Sequence, residues 1–351
     1  MKALNTGDIT IATLPKQSPE RALGASGGPS VVRSRSGGST PIPRMSRRCA
    51  VGALSQITLL RELEPVIERC LGRHRATAQT WDPAQYVLPE RYWGQRRSPL
   101  TETAKAALIT TLLTHNNTAR TEPGAPAATR GSWASWLHEW TGEKRLHADA
   151  IQQYLVATRS VDPIALDRAR FQCTTIGIEA SMEGDHLLRS IVHSTVDVMA
   201  TMVSHVNTAV ECADPVATAI LDRIVADQRL HVEFYRSLVD AALGIAPAQT
   251  LKAITEVVMN FQMPGSGLPG FERSAMLIAR DGIYDLRRHL DEVLLPALRG
   301  WRVFERADTV GGERNRKILS DFLDDLEIQA TAFEQVRMRA LARDAEKLRA
   351  S

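Results

Sequence analysis

The feature that most constrains the fold is a helical period that continues through most of the chain. From about Ile57 onward, apolar residues recur at spacings of three and four, which marks one face of an α-helix. The stretch LLRELEPVIERCLGRH aligns Leu59, Leu63, Val66, Ile67 and Cys70 in this way. Similar faces recur in residues 101–116, 133–158, 186–212, 215–244, 248–261, 273–299 and 313–347. No alternating stretch indicates paired strands. The pattern predicts an all-α bundle of long helices, as one domain over residues 53–351.

Segments rich in proline and glycine separate these helices, as helix punctuation predicts. They are TEPGAPAATRGS, SVDPIAL, CADPVA, GIAPAQ and QMPGSGLPGF. The last contains Gly265, Gly267 and Gly270 in the G-x-G-x-x-G spacing of dinucleotide sites. That site needs a preceding strand and a βαβ unit, whereas both flanks here have helical patterns. We therefore predict a loop and no nucleotide site.

Residues 1–52 differ in composition from the rest of the chain. They are rich in Ser, Gly, Pro and Arg, poor in acids, and have no apolar periodicity. This composition predicts a disordered N-terminal tail, or a start placed too early with Met45 as the true first residue. It also resembles an organelle transit peptide, and targeting remains the alternative.

Composition excludes several functional classes. The 351 residues are 44% hydrophobic and 24% charged, with a net charge of +3. This is ordinary for a soluble globular protein, and no apolar run approaches the roughly 18 residues that span a bilayer. No concentrated basic stripe indicates a nucleic-acid partner. The four cysteines form no C-x-x-C pair, which argues against a zinc knot or a disulfide framework and favours a reducing cytoplasm.

Two histidine stretches suggest a site inside the bundle. GEKRLHAD at 142–149 and DQRLHVE at 227–233 share the triplet Arg-Leu-His. In four-helix carboxylate proteins, two helices each supply one Glu and two supply Glu-x-x-His, because positions i and i+3 converge on a dimetal centre. His147 and His231 fit this pattern, but the residues three before them are Lys144 and Gln228. The metal-binding pattern is therefore only half present.

Eight segments in order carry a family resemblance. They are TWDPAQY near Trp81, LTETA at 100–104, SWASWLHEWTGEKRLHAD at 132–149, YLVATRSVDP at 154–163, SHVNTA at 204–209, IVADQRLHVEFY at 224–235, FQMPG at 261–265 and GWRVF at 300–304. From about residue 58 to about residue 335 the chain resembles the soluble acyl-acyl carrier protein (acyl-ACP) desaturases. The resemblance implies a ferritin-like helical bundle, usually homodimeric. It also implies an interior tunnel for an acyl chain delivered by acyl carrier protein, and a diiron centre that activates dioxygen.

The resemblance also assigns the iron ligands, which in this family are four Glu and two His. The first glutamate falls on Glu102, and the histidines fall on His147 and His231. The other three glutamates fall on Lys144, Val198 and Gln228. A buried diiron centre needs several carboxylates to balance its positive charge, and one cannot do so. We therefore expect this fold without the iron and without another cofactor.

Two roles are open for the changed positions. Lys144 and Glu102 are predicted to form an interior ion pair in place of the metal, because an unpaired buried charge is costly. A desolvated lysine that acts as a base or forms an imine is the alternative. A substitute mononuclear metal site also stays open, with Glu102, His147 and His231 joined by Glu143 or Asp227. Five tryptophans, Trp81, Trp133, Trp136, Trp140 and Trp301, are predicted to pack in the core.

Three functions compete on this basis. The favoured one is metal-independent cyclisation or isomerisation of a long acyl or polyketide chain in the tunnel. Its candidate catalytic residues are Glu102, Lys144, His147, Gln228 and His231. It is favoured because two of the three changed positions are polar, whereas plain decay of a buried site more often leaves apolar residues. The alternatives are an O2-dependent desaturase with a rebuilt metal site and bound iron, and a non-catalytic partner of an active desaturase.

Overall fold

A computed structural model describes residues 53–87, 100–116, 131–176, 187–263, 265–268, 270–306 and 312–350. The predicted tail over residues 1–52 lies outside these ranges. Long helices dominate the fold: α1 (Gln56–Thr77), α2 (Glu102–Asn116), α3 (Gly131–Ala157), α4 (Pro163–Ile176), α5 (Leu187–Cys212), α6 (Pro215–Ile245), α7 (Pro247–Asn260), α8 (Phe271–Arg280) and α11 (Glu313–Ala350). Between α8 and α11 lie α9 (Leu286–Arg288), a π-helical turn (His289–Leu294) and α10 (Leu295–Gly300). Within the described ranges no residue forms a strand, which confirms the predicted all-α class.

The predicted helices differ from the observed ones in two places. The pattern missed α4, because its large apolar residues Ile164 and Phe171 are 71% and 69% exposed and mark no inward face. The predicted helix over 273–299 is interrupted after Arg280. There Gly282 adopts a φ of +77°, and the Asp285 carboxylate caps the next helix by accepting from the Arg288 N–H.

The α5–α6 hairpin organises the bundle. Asp214 caps α6 by accepting hydrogen bonds from the N–H groups of Val216 and Ala217, and Pro215 occupies the first turn. α1 and α3 pack on α6, while α2 packs on α3, α5 and α8. All five tryptophans predicted to lie in the core are buried. The helices α1, α2, α3, α5 and α6 therefore pack around a common interior.

The segment with the G-x-G-x-x-G spacing is a turn, as predicted. No strand precedes it, and α8 follows from Phe271. Gly265 has a φ of +91°, and a Cβ there would lie 2.9 Å from Thr110 Cγ2. This glycine is required by backbone conformation and close packing and not by a phosphate. No helix in the described part of the chain is both long and apolar enough to cross a membrane.

Candidate active site

Buried and half-buried polar side chains from five helices meet in the middle of the bundle. α3 and α6 present Lys144, His147, Gln228 and His231 inward, because positions i and i+3 share one helix face. α1, α2 and α5 complete the group. We call it the inner polar cluster; its members are His74, His115, Glu143, Lys144, His147, Asp197, His205, Asp227, Gln228 and His231.

Five imidazoles form a continuous row through this cluster. The ring centroids of His74 and His231 are 5.8 Å apart, and those of His231 and His147 are 6.2 Å apart. His115 lies 5.7 Å from His147 and 5.6 Å from His205. Each of the five residues is at most 4% exposed. The row links α1 to α5 across the whole width of the site.

Lys144 is paired with Asp197 and not with Glu102. Its Nζ lies 3.6 Å from Asp197 Oδ2 and 5.1 Å from the ring centroid of Trp140. Burial lowers the pKa of Lys144, and the Asp197 charge opposes that shift. The predicted interior ion pair is thus present at Lys144, but its acid comes from α5, one residue before Val198.

Asp227 is the most heavily bonded acid of the cluster. Its carboxylate accepts from Trp81 Nε1 at 2.9 Å and lies 3.1 Å from His147 Nε2. The Arg223 guanidinium, one turn earlier on α6, donates to its other oxygen. Asp227 is only 3% exposed. Its two carboxylate oxygens orient the ring of His147 and compensate the charge of Arg223.

Glu143 joins the first two imidazoles of the row. His74 Nε2 lies 2.8 Å from its Oε1, and His231 Nε2 is hydrogen-bonded to its Oε2. Burial alone would raise the pKa of Glu143, but the hydrogen bonds with His231 and His74 bring it far below its ordinary value. Burial lowers the pKa of His231 despite this bond. Glu143 is therefore an anion between two imidazoles.

Gln228 has both ends of its amide occupied. Its Oε1 accepts from His205 Nδ1 at 2.8 Å, and its Nε2 donates to Thr201 Oγ1 at 2.9 Å. Burial lowers the pKa of His205 to about 3, although the bond to Gln228 opposes the shift. His205 is thus a neutral imidazole at pH 7, held in one orientation by a neutral partner.

A largely apolar cavity of about 1010 Å³, counted with its opening to solvent, lies next to the cluster. Its size matches pockets that bind small organic ligands. His115 and Thr201 belong to its wall, as do Tyr284 and His289, which are hydrogen-bonded to each other at 2.8 Å. The pKa of His115 is lowered well below its ordinary value by burial first and by Lys144 second. A ligand in this cavity would therefore meet a neutral imidazole.

The structure corrects the prediction for Glu102. Its side chain is 81% exposed at the start of α2 and pairs with Lys105 at 2.9 Å. It neither lines the cavity nor approaches Lys144. The residue that α2 places in the cluster is His115, on the same face as Leu108 and Leu112. The predicted pair of Lys144 and Glu102 is therefore wrong, because Glu102 lies at the exposed start of α2.

Four members of the cluster were missed by the sequence analysis, and a signal existed for three of them. His74 continues the buried face of α1 that carries Leu63 and Ile67. His115 continues the buried face of α2, and His205 lies one turn after Thr201 on α5. A histidine on an apolar helix face was the available clue. Nothing in the local pattern pairs Asp197 with Lys144, since that contact joins two helices.

An all-α bundle with inward histidines on facing helices belongs to the class of architecture that includes the ferritin-like carboxylate proteins. Within that class, the profile described as "Fatty acid desaturase" matches residues 55–349. The chain is 37% identical over 311 residues to the putative acyl-[acyl-carrier-protein] desaturase DesA1 of Mycobacterium tuberculosis, covering 83% of this chain and 92% of that one. The chain belongs to the acyl-ACP desaturase family.

Two further comparisons agree with this assignment. The chain is 28% identical over 200 residues to the chloroplastic stearoyl-[acyl-carrier-protein] 9-desaturase 6 of Arabidopsis thaliana, covering 54% of this chain and 50% of that one. The X-ray structure of the putative acyl-ACP desaturase DesA2 from Mycobacterium tuberculosis superposes with a TM-score of 0.57 at 23% identity. It covers 75% of this chain and 98% of that one. The latter comparison supports the fold alone.

The donor set of the cluster does not fit the diiron centre that the family resemblance implies. Lys144, Val198 and Gln228 stand at three of the four carboxylate positions that the resemblance implies, and Glu102, at the fourth, is 81% exposed. The carboxylates that remain nearby already have partners: Asp197 pairs with Lys144, Asp227 with Arg223, and Glu143 with two histidines. Few carboxylates are therefore left to balance the charge of two iron ions.

Replacing Glu102 by glutamine is expected to change the free energy of unfolding by less than about 0.5 kcal/mol, because an exposed ion pair contributes little. Activity should not change either. Urea denaturation of both proteins measures the first quantity. A loss of several kcal/mol would place Glu102 in the cluster after all.

Acid is expected to destabilise the fold at pH values where exposed carboxylates are still ionised. Burial lowers the pKa of His205 to about 3 and that of His289 to about 4, against 6.5 in the unfolded chain. Below pH 6.5 the unfolded state therefore binds more protons than the folded state. The free energy of unfolding has its full value above pH 6.5 and falls as the pH decreases below it. We expect a loss of about 2 kcal/mol or more between pH 7 and pH 5.

Urea denaturation at several pH values measures this slope. A His289→Gln variant should show a shallower slope, and a His138→Ala variant, altered at an exposed position of α3, should keep the original one. Equal stability at pH 7 and pH 5 would show that these histidines take up protons in the folded protein as readily as in the unfolded chain.

Proposed function

We propose that this protein binds a long acyl or polyketide chain in the cavity and isomerises or cyclises it by metal-independent acid–base chemistry. One observation carries the proposal: His115 belongs both to the cavity wall and to the inner polar cluster. A chain in the cavity would lie against a buried imidazole that is neutral because its pKa is lowered. A neutral imidazole within reach of a substrate can act as a general base.

The reaction class follows from what the cluster offers. Isomerisation and cyclisation shift a proton and electron pairs within the chain and leave its oxidation state unchanged. They need neither dioxygen nor an electron donor. His115 would take a proton from one carbon and return it to another, while the cavity holds the chain in a reactive shape. This chemistry suits a site in which three of the four carboxylate ligand positions implied by the family resemblance carry Lys144, Val198 and Gln228.

The other candidate residues do not belong to the cavity wall, so they act on the substrate only through His115. His147 contacts the ring of His115 and is fixed by Asp227. Gln228 orients His205, whose ring also contacts His115. Lys144 places a cationic group close enough to His115 to lower its pKa. We assign Lys144, His147 and Gln228 as positioning residues, and His231 as the next ring in the row.

The names of the relatives support the proposed delivery of the substrate. DesA1 and the plant protein are both named as desaturases of acyl chains on acyl carrier protein. We propose that acyl carrier protein delivers the chain here as well. We further propose that the protein acts as a homodimer in the cytoplasm, as the family resemblance and the cysteine usage imply.

The test offers long acyl chains on acyl carrier protein, saturated and polyunsaturated, to the full-length protein under nitrogen and in air with an electron donor. Mass spectrometry and chromatography then compare the chains. We expect a product of unchanged mass and altered retention that forms under nitrogen. His115→Ala should slow its formation by about 100-fold or more, whereas His138→Ala, at the exposed position on α3, should not.

A second candidate is O2-dependent desaturation at a rebuilt metal site. It is favoured by the grouping of His74, Glu143 and His231, whose potential ligand atoms lie within 4.8 Å of one another. This function would give a product two hydrogens lighter, formed in air only, and would contradict the proposal. Binding of the carrier protein without any turnover would also contradict it and would support a non-catalytic partner.

A further inference from the structure

His74, Glu143 and His231 form a compact three-residue group at the α1 end of the histidine row. The ligand atoms of all three lie within 4.8 Å of one another. Both Nε2 atoms are directed at one carboxylate, with His74 at 2.8 Å from Oε1 and His231 hydrogen-bonded to Oε2. Three helices, α1, α3 and α6, each supply one member. Two imidazoles and a carboxylate thus converge on one point.

We infer that this group binds a single divalent transition-metal ion of the Zn²⁺ class, at a mononuclear site separate from the family's diiron centre. Imidazole nitrogen with one carboxylate oxygen suits Zn²⁺ and its first-row neighbours, whereas Mg²⁺ and Ca²⁺ prefer oxygen ligands alone. Of the six iron-ligand positions implied by the family resemblance, this group uses only His231. His74 comes from α1, which supplies none of those six.

The charge of the cluster supports a cation at this point. Asp197 is matched by Lys144, and Asp227 is matched by Arg223. Glu143 differs, because the partners that the structure describes for it are two imidazoles. With both imidazoles neutral, as metal binding requires, the negative charge of Glu143 is uncompensated. A divalent ion would compensate it and join the three helices.

The ligands are held in place before any ion binds. Trp136 packs edge to face against both imidazoles, with ring centroids 5.1 Å from His74 and 5.7 Å from His231. Trp136 itself is fully buried and stacks on Phe234 at 3.6 Å. Because these contacts already hold both imidazole rings in one orientation, ion binding would not have to order the side chains.

An ion could reach the group from solvent. A shallow depression of about 230 Å³ lies over α1 and α6, with Arg73, His74 and Glu233 in its wall. Arg73 and Glu233 pair across it at 2.8 Å, and both are more than half exposed. The Glu143 side chain keeps 22% of its surface exposed. The exposed side chains of Arg73 and Glu233 therefore lie between this depression and solvent.

The position of the group assigns the ion a structural role. His231 contacts the ring of His147, and His147 contacts that of His115 in the cavity wall. Two imidazoles thus separate the ion from a chain in the cavity. It would cross-link α1, α3 and α6 without touching the reacting atoms, so this inference goes beyond the proposed acid–base function.

The test is calorimetric titration of the untagged full-length protein with ZnCl2 after metal removal by a chelator and dialysis. We expect one ion per chain. His74→Ala and Glu143→Gln should each weaken binding by more than the roughly 10–100-fold that loss of an outer-shell partner causes. His138→Ala, which removes an exposed histidine from the same helix as Glu143, should bind as the unmodified protein does.

Thermal unfolding keeps the test decisive if a variant folds poorly. Because Zn²⁺ would bind the folded state only, it should raise the Tm of the unmodified protein and of His138→Ala, but not that of Glu143→Gln. Visible absorption of bound Co²⁺ should show nitrogen and oxygen ligands in the first two proteins only. Absence of stoichiometric binding, or full binding by both ligand variants, would overturn the inference.

Discussion

Replacing Asp227 by alanine is expected to lower the free energy of unfolding by about 3–5 kcal/mol, the cost of breaking a buried ion pair from one side. Asp227 is 3% exposed, and the side chain of its partner Arg223 is 13% exposed. The substitution would leave the guanidinium without its counter-charge and remove the hydrogen-bond acceptor of Trp81 Nε1. Urea denaturation at pH 7 measures the loss.

Three controls separate this charge effect from a general effect of substitution on α6. Asp222→Ala, at an exposed position of the same helix, should change stability by less than about 0.5 kcal/mol. Asp227→Asn keeps an acceptor oxygen and should lose less than the alanine variant. Arg223→Met added to Asp227→Ala should recover part of the loss, because both charges are then gone. A near-neutral Asp227→Ala would mean that Arg223 is solvated.

Replacing Trp136 by alanine is expected to cost about 3–5 kcal/mol as well, through the cavity left in the core. The indole is fully buried, stacks on Phe234 at 3.6 Å, and contacts His231 with ring centroids 5.7 Å apart. Its removal would take packing from the core and the histidine row together. Denaturant unfolding followed by circular dichroism measures the effect.

The matched variants for Trp136 are Trp136→Phe and Phe304→Ala. The first keeps a ring in the site and should lose less than the alanine variant. The second removes an aromatic side chain that is 47% exposed and should cost much less than a buried ring. If Trp136→Ala and Phe304→Ala had equal effects, Trp136 would not be packed as described.

The sequence alone predicted most of the long helices and part of the site. Period and punctuation placed α5 and α6 within about a residue of their observed ends, because long apolar faces give a strong signal. The i, i+3 spacing placed His147 and His231 inside the bundle for the same reason. Where the helical signal was short or interrupted, as in α4 and between α8 and α10, prediction failed.

The contacts between the site residues could not be predicted from the local sequence pattern. Glu102 was predicted to pair with Lys144, but it pairs with Lys105 at the exposed start of α2, and α2 contributes His115 to the cluster. The pairing of Lys144 with Asp197 and of Glu143 with His74 joins different helices, so it depends on how those helices rotate and pack. Periodicity gives the face of a helix and not the residue it meets.

The central claim is that three of the four carboxylate positions implied for this family's iron centre carry Lys144, Val198 and Gln228, so that the site no longer holds two irons. Metal content tests it most directly, by plasma mass spectrometry of untagged protein purified without oxygen and supplied with iron. A variant with Lys144→Glu, Val198→Glu and Gln228→Glu is the positive control. We expect at most one metal ion per chain in the unmodified protein, lost in His74→Ala, and two irons in the variant. Two irons per chain in the unmodified protein would contradict the account and make O2-dependent desaturation its function.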